Sequence, residues 1–193
     1  MKGMLGTQAG QREEASLGLL PTPTNSLFKG LLAGVDVAPL NQGHSETLWG
    51  DDSPTGRPTI FINPDKYQGD AWDKMQKAEA LHLLKLKNPN LHSAIMSDAL
   101  DDPDYMRWAR NSYDIMTGKK PDPETGKYVE KDKLERRSFN DWHNVSRFDQ
   151  VMGGYILAGD PDFPTMKNWN RDKLPIGKRL RGWLEYLKQE FDR

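Results

Sequence analysis

The sequence predicts a mainly α protein: a compact helical domain with one short strand or small β element, preceded by an extended N-terminal arm. Residues 57–193 contain amphipathic stretches whose apolar residues recur every three or four positions, together with one short β-branched run. Residues 1–56 are instead dominated by Gly, Pro, Ser, Thr, Asn and Gln, which interrupt regular structure. We therefore place the boundary between arm and domain at residue 56.

The arm carries its apolar residues in small clusters. The cluster at residues 27–35 predicts a short helix after an N-cap at Asn25 or Ser26. A segment of this composition buries too little surface to offset its conformational entropy, so we expect it to be ordered only against a partner or against its own domain. The predicted partner-binding residues are Leu19, Leu20, Leu27, Phe28, Leu31 and Leu32.

The domain begins with a strand and continues with helices. The run Thr59-Ile60-Phe61-Ile62 is β-branched and aromatic, and the turn residues Asn63-Pro64-Asp65 follow it, which predicts one strand and a turn. The spacing of apolar residues and the start and stop signals then predict helices over residues 70–87, 92–100, 104–117, 138–157 and 176–191.

Capping residues support two of these helices. Asp102 followed by Pro103 is a favoured helix start, and Gly118 supplies the stop. Ser138 with Asp141 three residues later is a shortened capping box. The pair Gly153-Gly154 further along the helix that Ser138 caps either weakens this helix or allows another element to pack closely.

The composition excludes several functions. The chain has 27 basic and 28 acidic residues, so we expect neither tight generic nucleic-acid binding nor attraction to an anionic membrane. It has no cysteine, which excludes disulfides, thiolate zinc sites and cysteine nucleophiles. No stretch approaches 20 apolar residues, so no membrane span is expected. We predict no cofactor.

The stretch Ala78-Glu79-Ala80-Leu81-His82 matches the zinc-peptidase motif His-Glu-x-x-His except at its first position, where Ala78 replaces a ligand. Helical geometry places Glu79 and His82 on one face with Trp72, Met75, Leu83 and Leu86, within an arc of about 100°, and points Lys74, Lys77 and Lys85 away. A buried carboxylate and imidazole need partners. Asp149, on the inner face of a later helix, is the candidate partner.

Two interpretations of this group stay open. In the first, Glu79, His82 and Asp149 form a buried polar centre in an ordinary core. In the second, the helix is a degenerate zincin-like site in which His82 and Asp149 bind metal and Glu79 is catalytic. Two ligands are fewer than the three protein ligands that a catalytic zinc normally takes, so we predict no metal site and no catalytic residue as the first choice.

The stretches TIFINPDKYQGD, KAEALHLLK, DPDYMRWARNSY and RSFNDWHNVSRFDQVMGGYILAGDPDFPTM resemble a segment of virion-associated proteins of tailed bacteriophages, over about residues 58–170. The resemblance implies an internal, ejected or structural virion protein made in the bacterial host cytoplasm. Its implied partners are portal, tail or capsid proteins, and homo-oligomeric assembly in the particle stays open. We therefore expect a non-enzymatic virion component that docks through its arm. The alternative is a divergent zincin-like metallohydrolase, or its inactive relative, carried in the virion.

Overall fold

The computed structural model of the protein describes residues 26–40, 46–48 and 53–193. The strands are β1 (Asp36–Pro39), β2 (Glu46–Leu48) and β3 (Thr59–Ile62). The helices are α1 (Ser26–Leu32), α2 (Asp70–Ala80), α3 (Leu84–Lys87), α4 (Pro89–Leu100), α5 (Pro103–Met116), α6 (Phe139–Trp142), α7 (Phe148–Leu157) and α8 (Lys178–Asp192). A 3-10 turn at Leu81–Leu83 joins α2 to α3, and a π-helical turn at His143–Arg147 joins α6 to α7. The mainly helical fold predicted from the sequence is confirmed.

The small sheet has β3 in its centre. β1 lies parallel to β3 with Val37 opposite Ile60, and β2 lies antiparallel to it with Thr47 opposite Ile60. All four residues of β3 are buried, as expected for a central strand that is covered on both faces. The sequence predicted β3 but not its two neighbours, which come from residues assigned to the arm.

The predicted boundary at residue 56 needs correction. The predicted short helix is present as α1, but Phe28 and Leu31 on this helix are fully buried in the core, and the ring of Phe28 meets the ring of Phe191 edge-on at 5.5 Å. β1 also completes one side of β3, whose backbone groups need partners. Residues 26–40 therefore belong to the folded domain, because both their apolar side chains and their backbone are satisfied there.

The predicted caps hold. Asp102 Oδ1 accepts hydrogen bonds from the backbone N–H groups of Asp104 and Tyr105 at the start of α5. The other carboxylate oxygen of Asp102 accepts from the N–H of Gly177, which precedes α8. Ser138 Oγ accepts from the N–H of Asp141 at the start of α6, as the shortened capping box predicted. One carboxylate thus fixes the starts of two helices relative to each other.

The predicted helical run over residues 70–87 forms, but its last turn faces differently from the prediction. The 3-10 turn has three residues per turn instead of 3.6, which rotates the following residues by about 60° relative to a continuous α-helix. Leu86, which the sequence placed on the apolar face, is 55% exposed as a result.

Lys77 was predicted to face solvent, and it is buried instead. The last turn of α8 lies over it: Lys77 Nζ donates to the carbonyl oxygen of Phe191 at 3.2 Å and lies 3.1 Å from the carboxylate of Asp73. The packing of α8 against α2, which no local pattern encodes, reverses this prediction.

The core is centred on α7, which is buried along most of its length. α8 packs beside it with its apolar face inward, as its spacing predicted. The buried residues of this face are Leu180, Leu184, Leu187 and Phe191. In the part of the chain that is described, no helix has the length and apolar character needed to cross a membrane.

Candidate functional site

The structure brings Glu79, His82 and Asp149 together, as the sequence predicted. Glu79 lies in the last turn of α2, His82 in the 3-10 turn that follows, and Asp149 in the first turn of α7. His82 Nδ1 lies 3.3 Å from Asp149 Oδ2, and His82 Nε2 lies 3.9 Å from Glu79 Oε2. The imidazole therefore has one carboxylate on each of its two nitrogens.

The group is only partly shielded from solvent. The side chains of Glu79 and Asp149 are each 13% exposed, whereas that of His82 is 33% exposed. Burial by itself lowers the pKa of His82, but the contact with Asp149 and the negative charges of Glu79 and Asp149 outweigh it, so the pKa of His82 lies above its ordinary value. The surroundings favour the protonated, positively charged ring.

This preference limits the chemistry of His82. A protonated imidazole donates from both nitrogens and has no free lone pair. A metal ligand or a general base needs such a lone pair, so a metal ion or a substrate proton would have to displace the bound proton. The two carboxylates also lie at different ring nitrogens and do not converge on one position. Within the described ranges, no group of three His, Asp or Glu side chains is arranged to hold a metal ion.

Ala78, which stands where a zinc peptidase has its first histidine, packs against the apolar core. His92 on α4 also packs into the core. It is buried, its ring meets that of Phe148 edge-on with the centroids 5.9 Å apart, and burial lowers its pKa. The charge of Asp149 raises the pKa of His92 slightly but does not overcome burial. The imidazole is therefore held neutral beside an aromatic ring.

Sequence reasoning missed one neighbour of this group, Tyr67. Its ring stacks on Phe163 with the ring centroids 5.6 Å apart, and burial and the charge of Glu79 raise its pKa. Tyr67 lies in the loop between β3 and α2, where no periodic pattern reports which way a side chain faces.

A second buried polar pair joins α5 to the π-helical turn that precedes α7. His143 is fully buried, and its Nε2 lies 2.8 Å from the hydroxyl of Tyr105. Its Nδ1 donates to Asn144 Oδ1 at 3.0 Å, so Nε2 accepts from the Tyr105 hydroxyl. The sequence did not predict the pairing of His143 with Tyr105, which is 38 residues distant.

The predicted partner-binding residues divide into three groups. Phe28 and Leu31 are buried in the core and are not available to a partner in this conformation. Leu27 and Leu32 are partly buried and pack against the same core. Leu19 and Leu20 lie outside the described residues. The apolar face predicted for α1 is present, but it packs against the chain's own core.

The basic residues near α8 are largely engaged within the domain. Arg179 lies 2.8 Å from the carboxylate of Asp98, which also accepts a hydrogen bond from Trp183 Nε1 at 2.8 Å. Arg181 donates to the backbone carbonyl oxygens of Arg171 and Leu174. These contacts fasten α8 to its neighbours.

No protein-family model, no curated protein and no solved structure matches this chain.

Proposed function

We propose that this chain is a non-enzymatic component of a bacteriophage virion, made in the host cytoplasm and docked onto a portal, tail or capsid protein. The virion assignment is supported by the resemblance of residues 58–170 to virion-associated proteins. The observation that favours a non-enzymatic role is the environment of His82, whose two nitrogens each face a carboxylate. The two carboxylates link the ring to two helical segments and favour its protonated form, which has no lone pair for a metal ion or a substrate proton.

The docking segment that fits this proposal precedes residue 26. Phe28 and Leu31 serve the core, which leaves Leu19 and Leu20 as the predicted apolar contacts to a partner. Short apolar clusters on a chain segment can anchor it in a groove of a neighbouring subunit.

The test compares variants for incorporation into phage particles. A full-length protein with Leu19→Ser and Leu20→Ser, and a protein lacking residues 1–25, should both keep the wild-type circular dichroism spectrum and be lost from purified particles. Leu27→Ser is the matched control, since its side chain packs on the domain. Normal incorporation of the double variant and of the truncated protein would overturn the docking role of this segment. A longer truncation that removes residues 1–50 would not test docking alone, because it also deletes α1, β1 and β2 from the folded domain.

The alternative, a divergent zincin-like metallohydrolase or its inactive relative, is favoured by one observation. His82 and Asp149, which come from the two helices expected to carry zincin ligands, lie 3.3 Å apart. Metal analysis of the purified full chain distinguishes the two proposals. Stoichiometric zinc that is lost in His82→Ala, together with peptide hydrolysis that is lost in Glu79→Gln, would support the enzyme. Equal, substoichiometric metal in wild type and His82→Ala would support the non-enzymatic role.

A further inference from the structure

Arg147 occupies an unusual position in the fold. It is the last residue of the π-helical turn His143–Arg147, and its guanidinium lies 4.6 Å from the ring centroid of Trp108 and 5.7 Å from that of Trp142. Nη2 donates to Ser112 Oγ at 3.3 Å. Aromatic rings thus cover the guanidinium, whereas most of its hydrogen-bonding edge has no acceptor among the described residues.

The unmet hydrogen-bonding capacity of Arg147 is considerable. A guanidinium has five N–H donors in a fixed fork, and Ser112 is the one side-chain acceptor that the described residues provide. Nε is shielded from solvent, and the described residues offer it neither a hydrogen-bond acceptor nor a carboxylate within ion-pair distance. Burial lowers the pKa of Arg147. A partly buried charge without a counter-ion is costly, which indicates that an anion completes the site in the functional state.

Arg110 on α5 also lies over an aromatic ring, but its side chain is exposed. Its guanidinium lies 4.5 Å from the ring centroid of Phe139, and it has no ion pair with a described residue. The other cations near it on this side of α5 are paired: Arg107 with Asp104, and Lys120 with Asp114.

Arg110 and Arg147 lie around one buried residue. Burial lowers the pKa of His143, and the positive charges of these two arginines lower it further. Ring contacts also join the two arginines: Arg147 lies over Trp142, the ring centroids of Trp142 and Phe139 are 6.1 Å apart, and Arg110 lies over Phe139. Neither guanidinium has a counter-ion among the described residues.

The π-helical turn itself is a second indication. Such turns are rare, interrupt the regular α-helical hydrogen bonding and occur frequently at functional sites. Here the turn lies between α6 and α7, and its wider spacing sets where the last residue, Arg147, projects relative to the rest of the helix. A continuous α-helix would change the direction of this side chain with respect to Trp108 and Trp142.

We propose that Arg147 and Arg110 bind a carboxylate-bearing segment of a protein partner. Because aromatic rings cover the faces of both guanidinium groups, a ligand meets their edges, where a carboxylate can form paired hydrogen bonds. The aromatic surroundings suit a segment that places an apolar side chain beside its acidic one. The chain carries 27 basic and 28 acidic residues, so it lacks the extended positive field that favours the continuous negative charge of a nucleic acid, whereas two guanidinium groups match the local charge of a carboxylate. This inference does not rest on the virion assignment.

The test is an NMR titration of the ¹⁵N-labelled full chain with succinate, against sodium chloride at matched ionic strength. The Arg147 Nε–H signal should be observable because this group is shielded from solvent. We expect it to shift saturably, together with the indole N–H of Trp108. Arg147→Lys should weaken succinate binding about tenfold, as expected for the loss of a paired charge-assisted contact.

Two further variants keep the test decisive. Arg110→Lys alters an exposed side chain and should also weaken binding without unfolding the protein, even if Arg147→Lys does not fold. Arg107→Lys on the same helix is the matched control and should bind as the wild type does. The same shifts with sodium chloride, or binding that is unchanged in both Arg110→Lys and Arg147→Lys, would overturn the site. Tight binding of a short oligothymidylate that displaces succinate would overturn the choice of a protein partner.

Discussion

His82 and Asp149 join two helical segments that are far apart in the sequence: Nδ1 of His82 lies 3.3 Å from Oδ2 of Asp149 and thereby ties the turn after α2 to the start of α7. Because folding raises the pKa of His82, the protonated ring favours the folded state. This contribution is fully present below the pKa of the unfolded residue, about 6.5. It is lost as the pH rises through the higher pKa of the folded state.

Replacement of His82 by Gln should therefore lower the free energy of unfolding in a pH-dependent way. We expect a loss of roughly 0.5–1 kcal/mol at about pH 5.5, the range of a partly exposed ion pair, and a smaller loss at about pH 8.5. Urea unfolding of both proteins at the two pH values measures the difference. An equal loss at both values would show that the charge on the ring plays no part.

His92 should show the opposite dependence. Burial lowers its pKa in the folded state, so its contribution is fully present above about pH 6.5 and is lost as the pH falls through the folded-state pKa. His92→Leu removes the titrating group and keeps an apolar side chain beside Phe148. Compared with the wild type, we expect this variant to gain stability as the pH falls from about 8 to about 5. Urea unfolding across this range, with His82→Gln measured in parallel, gives the two opposite slopes.

Tyr105→Phe tests the buried pair with His143. The substitution keeps the ring and removes the hydroxyl that donates to His143 Nε2, which leaves a fully buried acceptor without a partner. The expected loss of stability is about 1–3 kcal/mol, measured by urea unfolding. Tyr128→Phe is the matched control, because Tyr128 is 61% exposed and should tolerate the change. Similar stability of Tyr105→Phe and wild type would contradict the hydrogen bond.

Adjacent glycines in α7 should respond differently to alanine. A Cβ on Gly154 would lie 3.1 Å and 3.2 Å from two ring atoms of Trp169, whereas a Cβ on Gly153 would meet nothing within 4 Å. Gly153→Ala should stabilise the helix by up to about 1 kcal/mol. In Gly154→Ala the crowding, typically about 1–3 kcal/mol, should cancel or exceed this gain. Thermal unfolding measures both variants, and equal stabilisation would show that Trp169 moves aside freely.

Phe28→Ala distinguishes a core residue from a docking residue. Phe28 is fully buried and contacts Phe191, so its removal should cost about 3–5 kcal/mol. Leu27→Ala, one residue earlier and only partly buried, should cost clearly less. Urea unfolding of the isolated protein compares the two. A Phe28→Ala variant that is as stable as the wild type but no longer binds a partner would show that Phe28 serves docking and not the core.

Much of the site could be predicted because it depends on helical periodicity. Glu79 and His82 are three residues apart on one helix, and Asp149 faces inward on another, so their meeting follows from two apolar faces packing together. Tyr105 and His143 could not be paired in this way. Several helices carry inward-facing polar residues. Tyr105 and His143 meet because α5 packs against the π-helical turn that follows α6.

Local patterns in the sequence were sufficient for the helices, their caps at Asp102 and Ser138, and the strand at Thr59–Ile62, since capping and periodicity act over a few residues. The tertiary structure decided the rest. Phe28 lies in the core because α1 packs against distant elements of the chain. Leu86 faces solvent because the 3-10 turn before it rotates the residues that follow. Arg147 lies beside the rings of Trp108 and Trp142 because it ends the π-helical turn. These effects depend on contacts between segments that are separated by tens of residues, which neither composition nor spacing records.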